Sequence, residues 1–161
     1  MNTKHLLVAS LVGGLTSTVL VNSPYLNLIN VLICAGFWIG PLVAVWLYRR
    51  QDGALTLRQG VVIGVLAGAW HWLFGVLLSP LGLAGAGGLL ETARPFVPAQ
   101  DLPDLEATLT GFGAVLFNLV ALAFDVAFGL TGGLVGGALL RGAPGDRAEA
   151  EPATPALGPK R

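Results

Sequence analysis

GFGAVLFNLVALAFDVAFGLTGGLVGGALL, from Gly111 to Leu140, is the stretch on which the fold turns: it has one ionisable residue, Asp125, and Arg141 closes it. Crossing the hydrocarbon core of a bilayer takes roughly 17–25 apolar residues in a helix, so this run predicts a membrane span over 111–140. Three further stretches meet the same requirement. The first covers about 4–21 and ends at Asn22-Ser23-Pro24. The second covers about 26–48, closed by Trp46, Tyr48, Arg49 and Arg50, whose rings and guanidinium groups suit the headgroup level. The third covers about 59–78 and stops at Ser79-Pro80, because proline interrupts the helical hydrogen-bond ladder. No window alternates apolar and polar residues, which argues against a lipid-facing barrel.

Composition agrees. Of 161 residues, 54% are hydrophobic and 11% charged, and the mean hydropathy is +0.74. Soluble domains carry about 25% charge, so this chain has too little to coat a water-facing surface, and disordered chains are apolar-poor. The 9 basic and 9 acidic residues cancel, leaving no net charge to recruit nucleic acid. A lone cysteine, Cys34, excludes an intramolecular disulfide and a thiolate metal cluster. The expectation is an all-α integral membrane bundle of four spans over residues 1–141, with the bilayer as its first partner.

Loop charges orient the bundle. Lys4, Arg49, Arg50, Arg58, Arg141, Arg147, Lys160 and Arg161 fall on one side, and Arg94 alone on the other among Glu91, Asp101, Asp104 and Glu106. The positive-inside rule then places both termini in the cytoplasm, and 79–110 becomes an external loop. Within that loop Asp101 reads as a helix N-cap ahead of Pro103, Asp104 and Glu106. A fourth helix starting there would be too long for the membrane, so it should protrude or break near Gly111 and Gly113. The tail, 142–161, is rich in Pro, Ala and charge and reads as disordered and cytoplasmic. The first span is basic at its start but lacks an Ala-x-Ala-like cleavage site, so it is expected to stay.

Glycines recur every fourth residue. Gly60, Gly64 and Gly68 lie on one face of the third span, with Gly75 continuing it; Gly129, Gly133 and Gly137 repeat the pattern in the fourth, beside Gly132 and Gly136; the second span adds Gly36 and Gly40. Lipid tails give no hydrophobic drive between helices, so close approach through small residues supplies the packing. Such glycine-zipper stripes fit contact within one subunit or a homodimer seam. Pro41, next to Gly40, predicts a kink in the second span.

Two ionisable residues lie within spans, His71 and Asp125; such groups are costly and face the bundle interior. Each sits on a glycine stripe, three residues after Gly68 and four before Gly129. At 1.5 Å per residue His71 stands roughly 20 Å from Arg58, Asp125 roughly 24 Å from Arg141, Thr16, Ser17 and Thr18 roughly 18–21 Å from Lys4, and Trp38 roughly 17 Å from Arg49. One polar layer, contributed by all four helices, is the expectation, with His71 bonded to Asp125. That pair reads either as a clasp fixing helix register or as a proton- or ion-responsive site. His5 lies near the cytoplasmic end and no second intramembrane histidine exists, so neither haem, metal nor any other cofactor is expected. No nucleophile has a base beside it, and the Gly132–Gly137 run lacks the Lys-Ser or Lys-Thr of a phosphate loop. An enzyme is not expected.

The Gly13-Gly14 first span, Asn27-Leu-Ile-Asn30, Cys34 to Gly40, the Tyr48-Arg49-Arg50 exit, Leu55-Thr56-Leu57-Arg58-Gln59-Gly60 and the Gly132–Gly137 ending together resemble a group of small, uncharacterised four-helix bacterial membrane proteins. The likeness covers roughly 5–78 and 112–141. It implies a multi-pass protein of the bacterial inner membrane and carries no activity with it; His71 and Asp125 are outside its motifs. Ser23-Pro24 and Ser79-Pro80 close the odd spans alike, which would fit a parallel repeat of two hairpins. Two functions follow as expectations: a non-enzymatic bundle that associates with itself or a larger membrane complex, or a small transporter or channel working through Asp125 and His71.

Overall fold

The computed structural model describes residues 2–22, 34–53, 55–81, 83, 88, 90–91 and 93–140. The Ser23-Pro24 turn, positions 26–33 of the second span, most of 82–92 and the tail lie outside the described residues. Within them the chain is all-α: α1 (Thr3–Asn22), α2 (Ala35–Asp52), α3 (Leu57–Leu78), α4 (Leu102–Thr108) and α5 (Gly111–Leu140), with no strand. Three segments are long and apolar enough to cross a membrane, Thr3–Asn22, Leu57–Leu81 and Gly111–Leu140. The described part of α2 is not one of them, because Arg49, Arg50 and Asp52 fall in its last turn.

Local sequence sets the helix ends. Thr56 and Gln59 form a capping box at the start of α3: the Thr56 N–H donates to Gln59 Oε1 at 2.8 Å and the Gln59 N–H to Thr56 Oγ1 at 3.3 Å. Two of the helix's otherwise unbonded donors are satisfied in this way. Thr56→Ala is expected to cost about 1 kcal/mol, measurable as a lower midpoint for denaturant unfolding in detergent. Asp101 occupies the position before α4, but its side chain makes no capping hydrogen bond. Proline in the first turn, with its fixed φ, favours that start instead. Between Thr108 and α5 the helix breaks, and at Gly111 φ is +54°, a conformation that glycine adopts without a Cβ clash. At Gly113 a Cβ would run into the Thr108 carbonyl.

Four helices form an up-down bundle. α1 and α2 run antiparallel: a Cβ at Gly13 would lie 2.6 Å from Ala44 Cβ, and one at Gly40 3.0 Å from Ser17 Cβ. α3 and α5 are also antiparallel, Gly60 lying against Gly137 and Gly64 against Gly133. α5 turns a second glycine face to α2. There Gly132 receives the ring of Pro41 and Gly136 the side chain of Val45, so these two helices run the same way. α2 continues through Pro41 as one helix. Gly14 completes the circuit, packing on Ala67 and Trp70 of α3.

The distribution of residue sizes is the reverse of a soluble protein's. Buried positions of α1 are Leu6, Ala9, Ser10, Gly13, Gly14, Ser17 and Thr18, mostly small and three or four residues apart. Leu7, Leu11, Leu15 and Val19 of the same helix are exposed, as are Leu116, Leu119, Val120 and Phe124 of α5. Contiguous apolar surface on this scale is a liability in water and an asset in lipid.

Candidate functional site

Close helix approach creates the site. A Cβ at Gly68 would come within 2.8 Å of the Asp125 carbonyl carbon, and one at Gly129 within 3.3 Å of Gly68 Cα. With backbones this near, a side chain as short as aspartate's reaches across. Asp125 Oδ1 lies 3.0 Å from His71 Nδ1, and the two residues are 7% and 8% exposed. One proton serves this contact, carried by the imidazole or by the carboxyl.

Aromatic rings wall the pair. Phe37 of α2 meets the His71 ring edge-on, with centroids 5.3 Å apart and planes at 89°. Phe128, one turn beyond Asp125, lies 5.3 Å from Phe37, and Trp38 stands 5.7 Å from Phe128. Toward the start of α5 the Trp72 indole N–H donates to the Asn118 carbonyl at 2.8 Å, tying α3 to α5 a second time.

The expected polar layer is therefore narrower than four helices. His71 and Asp125 are brought together, and Trp38 stands against Phe128. Thr16 and Thr18 return their hydroxyls to their own helix, to the carbonyls of Val12 at 2.8 Å and Gly14 at 2.9 Å. Ser17 is buried against Gly40. Gly60, Gly64 and Gly68 face the α5 stripe of Gly129, Gly133 and Gly137, so these stripes meet each other within one chain. Gly36 is buried on α2, whereas a Cβ at Gly75 would touch nothing within 4 Å. Phe37 and Phe128 belong to the site and were not singled out by the sequence; the spacing of three from Asp125 was the available signal for Phe128.

A second histidine–aspartate contact joins α1 to α2 at the far end of the bundle, between His5 Nδ1 and Asp52 Oδ1. Tyr48 is buried beside it, 1% exposed. The nearby Tyr48 hydroxyl, and then His5, hold the Asp52 carboxyl below its ordinary value of 3.8. A depressed carboxyl contributes stability that is complete above its unfolded value and fades as pH falls through the folded one. The thermal stability of the wild type is expected to exceed that of Asp52→Asn at neutral pH. The gap should close as pH drops below 3.8.

Fold and site together define an all-α chain with three helices apolar enough for a membrane and a buried, walled histidine–aspartate pair between two of its helices. No protein-family model, curated protein or solved structure matches it.

Proposed function

We propose that the protein is a non-enzymatic, four-span integral membrane bundle in which the His71–Asp125 pair takes up and releases a proton and couples it to passage of an ion or small solute. The 3.0 Å contact between two side chains less than a tenth exposed carries this reading. Ionisable groups at such depth are costly in a bilayer and mark ion pathways and proton relays. Alternating helix directions, with eight of the nine basic residues assigned to one side, support four spans and cytoplasmic termini. The motifs quoted above support grouping the chain with small four-helix bacterial membrane proteins.

The test is flux. Proteoliposomes carrying wild type are expected to show pH-dependent proton or cation movement, and those carrying Asp125→Asn to lose it. A folded wild type without flux at any pH would sink the transport reading.

A second reading is a packing subunit of a larger membrane assembly or a homo-oligomer. Phe112, Leu116, Leu119 and Leu139 of α5, more than half exposed, offer such a partner the same apolar surface that lipid would cover. Copurification of a stable partner, with no flux, would decide for that role.

A further inference from the structure

We infer that the groove between α2 and α5 is a site for an anionic phospholipid, its phosphate held by Arg50 and one acyl chain lying along the helices. The inference rests on the membrane reading above and goes beyond it in naming a ligand class and a place. The groove has a volume of about 280 Å³ between Ile39, Val43 and Trp46 of α2 and Leu139 and Leu140 of α5, with Gly136 at its floor. Gly136 opens it: a Cβ there would come 3.2 Å from Val45 and 3.3 Å from Leu42.

Direction and length suit an acyl chain. The lining residues of α2 run from Ile39 to Trp46, about 10 Å at 1.5 Å per residue. One leaflet of a ~30 Å hydrocarbon core is roughly 15 Å deep. A groove parallel to the helix axes accepts a chain parallel to the membrane normal.

Charge identifies the headgroup. The Arg50 guanidinium lies over the Trp46 ring, 5.4 Å from its centroid. Stacking holds the planar fork against a ring that lines the groove, where its N–H groups can meet a phosphate. Arg49 stands beside it in the last turn of α2. Among the described residues no carboxylate pairs with either arginine, and the nearby Asp52 is engaged by His5. An apolar groove with two arginines in the helix turn next to its Trp46 wall is the complement of an anionic lipid.

Quenching of tryptophan fluorescence by brominated lipids tests this. Wild type and Arg50→Gln, each with and without Trp46→Phe, are reconstituted in phosphatidylcholine vesicles doped with brominated phosphatidylglycerol or brominated phosphatidylcholine. The Trp46 signal is the difference between each protein and its Trp46→Phe counterpart. The expected result is half-maximal Trp46 quenching at several-fold less brominated phosphatidylglycerol than phosphatidylcholine. Arg50→Gln should erase about fivefold of that preference, the worth of one arginine at an anionic surface. Equal quenching by both lipids would overturn the site and leave the membrane reading standing. Quenching of the other tryptophans but not Trp46 would overturn it in favour of a protein partner covering the groove. No quenching of any tryptophan would overturn the membrane reading and the site together.

Discussion

Gly64→Leu is expected to separate α3 from α5 and remove most of the protein's folded yield, while Gly75→Leu in the same helix leaves it intact. At Gly64 a side chain would overlap the Gly129 carbonyl oxygen and come within 2.7 Å of Gly133 Cα. Both obstacles are backbone, so no rotamer change relieves them and the helices must move apart. Overpacking of a core costs about 1–3 kcal/mol when side chains can yield; here the cost is expected at or above the upper end. The damage also spreads. The approach that Gly64 permits is continuous with the one at Gly68, where Asp125 packs, so the His71 contact is lost with it. Gly75 faces open space, and there leucine's better helix propensity, by up to about 1 kcal/mol, makes the change neutral or stabilising. Denaturant midpoints of the two variants in detergent micelles decide the matter. Equal midpoints would show that the glycine face is not what holds α3 to α5.

Removing the Asp125 carboxylate is expected to cost more in function than in stability. Asp125→Leu leaves His71 buried without its partner, and an unsatisfied buried polar group costs about 1–3 kcal/mol. Cross-helix polar contacts measured in membranes average only about 0.6 and reach about 1.7 kcal/mol, so the lower part of that range is expected. A double variant, His71→Leu with Asp125→Leu, should recover part of the loss, because neither partner is then stranded. Asp125→Asn keeps size and hydrogen-bonding capacity but cannot carry the exchangeable proton, so it should fold like wild type. Its proton-coupled flux is nevertheless expected to fall at least about tenfold, equivalent to 1.4 kcal/mol, and to lose its pH dependence. An Asn variant with wild-type flux would leave the pair as a structural clasp.

Helix periodicity explains what could be read in advance. Glycines four apart define a face in any α-helix, so the stripes of α3 and α5 were legible, and His71 and Asp125 were legible with them because both lie in register with those stripes. Depth along the axis was a poorer guide. It placed Thr16 and Thr18 level with the pair, but a helical hydroxyl can bond the carbonyl four residues back, and both do. Gly75 continues the stripe in sequence only. At that end of the contact α3 and α5 are joined instead through the Trp72 indole and the Asn118 carbonyl. Phe37 and Phe128 were hidden because a phenylalanine in an apolar helix has the same local signature whether it faces lipid or a histidine. The His5–Asp52 contact joins residues 47 apart, a separation no local pattern spans, although one acid among the arginines at that end was its only trace. The Leu55–Gly60 motif gains a physical meaning, since Thr56 and Gln59 cap the helix that carries His71.

Infrared difference spectroscopy of the protein in lipid, recorded across a pH jump, tests most directly whether the buried pair exchanges a proton. A carboxyl C=O band should appear or vanish with the jump in wild type, shift in His71→Gln, and be missing in Asp125→Asn. Superimposable difference spectra for wild type and Asp125→Asn would contradict the account, because the carboxyl between α3 and α5 would then hold its protonation state whatever the solution does.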